Sequence, residues 1–288
     1  MIVSSGNTAP LDEQSSTDNV PSPGFNAPPR RPIGNGILRV LRRLSGIVAL
    51  IALWQVATNA GLIDPRKFPP PSAVVKALIS LAQLGRLWPD VAASLQRVIV
   101  GFALATVVGV GTGLLLARNR FLSEYLLPIV EVLRPISVLA WIPLAIIWFG
   151  IGDPTAWFII FLGAFFPIFS NAYLGARSID PTHYNASRSL GASRWLFITD
   201  VLWPTCTPYI LAGMRIGLGV GWMCVIAAEL VAAQSGLGYM IQLARTLIDT
   251  EDVMAGMVVI GILGYLMNLT MTILERRLTP WRSHDQRD

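Results

Sequence analysis

Residues 180–221 read DPTHYNASRSLGASRWLFITDVLWPTCTPYILAGMRIGLGVG. This is the longest moderately polar segment between two membrane-length apolar runs, and its pattern is two short helices hinged at Gly191. Asp180 suits an N-cap, with Pro181 where a missing N–H costs nothing. Gly191 stops the first helix and Ser193 caps the second. Trp195, Ile198 and Leu202 then fall on one face, and Pro204 and Pro208 are expected to break the helix before the next apolar run. On residue chemistry alone, such a pair suits an interfacial segment at the surface of a membrane protein.

Composition agrees with a membrane setting. Of 288 residues 53% are hydrophobic and 14% are charged, whereas a soluble domain carries about 25% charged residues. Apolar runs of roughly 20 residues, the length a helix needs to cross a bilayer, lie near Leu44–Leu62, Leu95–Ala117, Leu126–Phe149, Thr155–Ala176, Ile210–Ala233 and Val253–Leu274. The expected fold is therefore all-α, with six transmembrane helices. Residues 1–36 are rich in Pro, Ser, Asn and Gly with almost no apolar clustering, and read as a disordered tail too polar for a signal peptide. The helical domain is placed at 37–282, with a loop at about 177–209 and a short tail at 283–288.

Arginine placement sets the orientation. Fourteen arginines fall on the amino-terminal tail, the 118–123 loop, the 177–209 segment and the carboxy terminus. The opposite loops and flanks carry Arg66, Lys67, Lys76, Arg86, Arg97 and Arg245. Positive-inside then puts both termini and the 177–209 segment in the cytoplasm. Between the first two spans, Phe68-Pro69-Pro70-Pro71 is stiff. Ser72 is an expected cap, and Val74, Leu78 and Leu81 form an apolar stripe. That helix suits either the outer membrane surface or a landing surface for a binding protein.

Within the membrane, Gly213, Gly217 and Gly221 form tandem GxxxG steps and Gly109 and Gly113 another. Small residues at that period let backbones approach closely, either inside one bundle or between two subunits. Glu229 stands in the middle of the fifth run, where a carboxylate needs a partner, a cavity or an interface. It is a candidate either for the solute pathway or for a structural bond. Arg134 is a second candidate of this kind, able to pair with Glu131 at i−3. Trp141, ahead of Pro143, marks a kink with an aromatic packed against it. Cys206 and Cys224 read as small core residues.

Several chemistries lack their residues. The two lysines, Lys67 and Lys76, lie in no GxxxxGK[ST] context, so ATP hydrolysis by a P-loop is excluded. HExxH and GxSxG are absent, and His183 and His284 lie in polar segments. No catalytic residue and no metal ligand set is expected, and no nucleic-acid partner. The competing class, a secondary carrier run on an ion gradient, calls for inverted repeats and several intramembrane charges, neither of which is evident.

The order S-L-G-A-S-R, then apolar residues, then L-W-P resembles the coupling ("EAA") loop of ABC importer permeases. Gly191 matches the loop's glycine, and Leu202-Trp203-Pro204 its leucine–proline pattern with Trp203 inserted. Asn185-Ala186-Ser187 stands where the family has Glu-Ala-Ala, so the acidic residue is lost. LRPISVLAWIPLAIIWFGIG (133–152), LGVGW (218–222) with AAEL (227–230), SGLG (235–238) and RRLTPW (276–281) are similar to the permeases for taurine, aliphatic sulfonates and nitrate. The resemblance covers roughly residues 90–282 and leans to the taurine and sulfonate side. It implies a type I importer permease in the bacterial inner membrane, working as a homodimer. It also implies cytoplasmic ATPase subunits that bind ATP and Mg, and a periplasmic or lipid-anchored solute-binding protein. The ATPase contact would fall on Tyr184, Asn185, Ala186, Ser187, Leu190, Gly191, Ala192 and Arg194.

Overall fold

The computed structural model describes residues 35–179, 189, 191 and 193–280, and these are helical with no strand among them. The chain divides at Leu50 into two units, Met1–Leu50 and Ile51–Asp288. Helix α1 (Asn35–Asn59) crosses that boundary, and the other elements belong to the second unit. They are α2 (Pro71–Gln83), α3 (Leu87–Arg118), α4 (Arg120–Leu133), a 3₁₀ turn (Val138–Trp141), α5 (Ile142–Phe149) and α6 (Asp153–Arg177). After the interval at 180–192 come α7 (Arg194–Phe197), a π turn (Ile198–Leu202), α8 (Trp203–Ala232), α9 (Leu237–Thr246) and α10 (Thr250–Leu278).

Helix α6 is the centre, with α3 on one side and α8 on the other. The glycine steps explain how close they come. A Cβ on Gly113 would stand 2.8 Å from the Ala172 Cβ and 2.9 Å from the Phe169 carbonyl oxygen, and one on Gly109 3.1 Å from Ile168 Cγ2. Across α6, a Cβ on Gly213 would lie 2.7 Å from the Asn171 Cβ, one on Gly217 3.0 Å from the Ala164 carbonyl oxygen, and one on Gly221 3.3 Å from Ile160 Cγ2. All five motif glycines therefore face α6 of their own chain, where dispersion contacts between close backbones replace the hydrophobic drive that lipid does not supply. Gly111 and Gly219 have open space where a Cβ would go. Gly113→Leu and Gly217→Leu should each lower stability by at least about 1–3 kcal/mol through overpacking, whereas Gly111→Leu and Gly219→Leu should be close to silent. Thermal unfolding of the detergent-solubilised protein separates the two pairs.

Four helices are long and apolar enough to cross a membrane: Leu87–Arg118, Asp153–Arg177, Trp195–Ala232 and Thr250–Leu278. The bent pair Arg120–Leu133 and Val138–Phe149, whose axes meet at 90°, is together long and apolar enough for a fifth span or for a re-entrant loop. The run expected as one span from Leu126 to Phe149 is thus two helices. Pro135 has no N–H to give the Glu131 carbonyl, and Ile136 donates instead to Leu133 at 3.1 Å, which tightens and ends α4. In α1 the described apolar stretch is Val48–Asn59, shorter than a full span.

Pro204 and Pro208 do not break the chain, contrary to the sequence expectation. The Trp203 N–H reaches back five residues to the Ile198 carbonyl, and this wider turn puts Pro204 in the first turn of α8, where its missing N–H is harmless. Pro208 is carried inside the helix. Ser72 is not the cap of α2 either: the helix starts at Pro71, and the Ser72 N–H donates to Gln55 Oε1 at 3.1 Å. The stripe is sound, with Val74, Ala77 and Leu81 buried and Leu78 packed beside them. Outward faces stay apolar, as at Val107, 74% exposed, and Met223, 75% exposed, which suits lipid contact.

Candidate functional site

At the end of the bundle that carries Leu87 and Asp153, four segments converge on one carboxylate. Glu229, 1% exposed, sits in the last turn of α8 and not mid-span as its run suggested, and Arg97, 4% exposed, reaches it from α3. Arg97 Nη1 donates to Glu229 Oε1 at 2.8 Å and to the Ser235 carbonyl at 2.6 Å. Its Nη2 donates to Ser235 Oγ at 2.8 Å and its Nε to Asp153 Oδ1 at 2.7 Å. The Ser94 hydroxyl points between both Glu229 oxygens, at 2.8 and 2.9 Å, and accepts from the Leu237 N–H at 2.9 Å. The Gly238 N–H donates to Glu229 Oε2 at 2.9 Å, and the Gly236 N–H to Asp90 Oδ1 at 2.8 Å.

The SGLG segment, 235–238, therefore wraps the ion pair and gives it backbone donors. Its glycines follow from that approach. Gly236 has φ +107°, and a Cβ there would stand 2.5 Å from Glu229 Cδ and 2.7 Å from Arg97 Nη1. A Cβ on Gly238 would stand 2.7 Å from the Glu229 Cβ. Burying charges is expensive, and it is sustained here because four of the five Arg97 N–H donors and both Glu229 oxygens are hydrogen-bonded. Arg97 was read from the sequence as a flanking charge. Its place on a helix face shared with Ser94, at i−3, is the signal that could have found it.

Arg134 behaves differently. It caps the end of α4, lies exposed on the chain, and has no ion pair with Glu131. Glu131 instead lines an open cavity of about 550 Å³ between α4 and α6, with Arg120, Glu124, Tyr173 and Arg177. Trp141 is half-buried and packs on the cluster of Ile142, Ala145, Ile159 and Ala228, but the kink expected there lies earlier, at residues 134–137, because Pro143 falls in the first turn of α5 where its missing N–H is harmless. Cys206 and Cys224 are both buried and free.

At the opposite end, Gly191 is exposed and takes φ +79°. The Leu196 N–H donates to Ser193 Oγ at 3.2 Å, so Ser193 does cap α7. Phe197, 5% exposed, is the anchor of this short helix, with the Arg118 guanidinium carbon 5.1 Å from its ring centre. A pocket of about 130 Å³ bounded by Ala117, Ala176, Ile179 and Leu202 adjoins it. Of the expected contact residues, Tyr184, Asn185, Ala186, Ser187, Leu190 and Ala192 lie outside the described residues, as does the Arg194 side chain.

An all-helical bundle, among the described residues, with several membrane-length helices, a capped helix–glycine junction at one end and a buried ion pair at the other is the architecture of a multi-pass membrane protein. The comparisons make this specific. Residues 105–284 match the family described as binding-protein-dependent transport system inner membrane component, and the chain belongs to that family. It is 38% identical to the taurine transport system permease protein TauC of Escherichia coli, over 86% of this chain and 92% of the relative. It is 34% identical to the putative aliphatic sulfonates transport permease protein SsuC of Bacillus subtilis, over 81% and 85%. To the nitrate import permease protein NrtB of Synechocystis it is 32% identical, over 84% and 90%. In fold it is similar to a chain of the MetNI methionine ABC transporter in an inward-facing conformation, with a TM-score of 0.61, 22% identity, and cover of 69% of this chain and 98% of that one. The protein is thus a multi-pass membrane permease subunit of an ABC importer and not an enzyme, and a family dependent on binding proteins works with separate ATPase and solute-binding subunits.

Proposed function

We propose that two copies of this chain, each with six crossings, form the pathway of an importer for a small oxyanion of the taurine, alkanesulfonate or nitrate kind. The similarity to the taurine permease over 86% of the chain carries this reading. ATP and Mg bind to the cytoplasmic ATPase partner. That partner is met by the loop holding Tyr184, Asn185, Ala186, Ser187, Leu190, Gly191, Ala192 and Arg194. A periplasmic or lipid-anchored protein delivers the solute at the end near Ser72 and Gln234. In this reading Glu229 and Arg97 clamp the outer end rather than carry solute.

Both termini are cytoplasmic. Arg118, Arg120 and Arg177 gather at the Gly191 end, which supports that orientation. Single cysteines at Ser72, Gln234 and Ser189, in a background lacking Cys206 and Cys224, report it through a membrane-impermeant thiol reagent. Ser72→Cys and Gln234→Cys should react on intact cells once any outer membrane is permeabilised. Ser189→Cys should react only after the cytoplasmic membrane is opened, and its labelling from outside would overturn the topology.

The function itself is tested in proteoliposomes holding the chain, its co-purified ATPase and the solute-binding protein. Uptake of labelled taurine should require ATP. Uptake that runs on an ion gradient without ATP would place the protein among the secondary carriers instead.

A further inference from the structure

Helix α4 runs for 14 residues from Arg120 before Pro135 ends it, a rise of about 21 Å. At that depth the chain is non-helical across residues 134–137, and all four residues there are exposed on the chain. The N–H groups of Ser137 and Val138 and the carbonyls of Arg134 and Pro135 make no backbone hydrogen bond. Irregular backbone at membrane depth is tolerated only against protein or against a water-filled space, because hydrocarbon satisfies none of these groups. The break in the bent pair therefore faces an aqueous or partner-lined space rather than lipid.

Arg134 is the one cation at this break. Its guanidinium has no ion-pair or hydrogen-bond partner among the described residues, since Glu131 turns to the cavity beside α6. The Ser137 hydroxyl, three residues on, is also exposed and makes no hydrogen bond among those residues. An arginine cannot shed its charge, so within a span it needs water or an anion. Its planar fork of N–H donors matches the paired oxygens of a sulfonate or nitrate group.

We propose that Arg134 is the oxyanion contact of the translocation pathway, a specificity residue for solutes that present a sulfonate or nitrate group, with Ser137 as a second donor. This rests on the importer reading above. It is tested with the full transporter in proteoliposomes, using taurine, an alkanesulfonate and nitrate in parallel. Arg134→Gln should still assemble with the ATPase and the solute-binding protein, yet lower uptake of the transported anion by about tenfold or more, the scale of a lost charge-assisted pair. Arg134→Lys should recover part of that rate, because it restores charge without the fork. Unchanged uptake by Arg134→Gln overturns the proposal and leaves the importer reading in place. Failure of Arg134→Gln to assemble, with Arg134→Lys assembling normally, also overturns it, since the residue would then be a structural contact. A wild-type transporter that moves none of the three solutes overturns the oxyanion reading itself, and Arg134 with it.

Discussion

Arg97→Met is expected to be among the most damaging single substitutions in the membrane domain. It leaves the Glu229 carboxylate, 1% exposed, with only the Ser94 hydroxyl and the Gly238 N–H, and it strips Asp153 and the Ser235 carbonyl of their shared donor. Removing one partner of a buried pair costs about 3–5 kcal/mol, because the other charge stays behind without compensation. The protein should lose its monodisperse peak on size-exclusion chromatography in mild detergent, or melt well below the wild type. Glu229→Gln is milder: the amide oxygen still accepts from Arg97, whose charge Asp153 continues to balance, although the amide nitrogen then faces the Gly238 N–H and that bond is lost. Removing both charges, as Arg97→Met with Glu229→Met, should cost less than the sum of the two single changes, since no orphan charge remains. A wild-type melting temperature for Arg97→Met would show that the four segments are held together by something else. Transport assays on Glu229→Gln decide the second question about this residue. Near-normal uptake fits a clamp, whereas a lost or altered solute preference in a stable protein would put Glu229 in the pathway.

The legibility of this chain divides along the range of the interactions concerned. Helix type and approximate place were readable because a run of apolar residues of membrane length has one stable solution in lipid, whatever it packs against. The glycine steps were equally plain at Gly109, Gly113, Gly213, Gly217 and Gly221. Their period, though, says only that something approaches closely, and α6 of the same chain was not named as the neighbour because α6 carries no matching signature of its own. Glu229 was visible for its cost, but its partner was not. Arg97 and Glu229 are 132 positions apart, and a pairing across that distance leaves no local trace. The two errors at prolines share one cause. Pro135 ends a helix and Pro204 does not, because the π turn at Ile198–Leu202 shifts the register ahead of Pro204 while only a tight turn follows Arg134. A proline in a sequence announces a missing donor, and the neighbouring turn decides whether the helix survives it.

Gly191→Val should reduce ATP-driven uptake to background while leaving the protein in the membrane and the bundle intact. The residue has φ +79° and is exposed, and a Cβ built on it meets nothing within 4 Å among the described residues. Space is therefore no obstacle, and the whole penalty is conformational: a β-branched side chain in the left-handed region costs about 1–3 kcal/mol. In a packed core the surroundings would hold the backbone against such a cost. Here the chain after Gly191 is fixed by the Ser193 cap and by Phe197 against Arg118, while no described residue crowds Gly191 itself. The cheaper response is to change direction at Gly191, which re-aims the preceding residues that would meet the ATPase. Gly191→Asn is the matched control, because asparagine enters the left-handed region far more readily than valine. It should keep most of the uptake and the co-purifying ATPase, whereas Gly191→Val should lose both. Equal activity in the two variants would show that the turn at Gly191 does not set the coupling geometry. Loss in both, with normal melting temperatures, would mean that the bare backbone surface at this position is itself part of the contact.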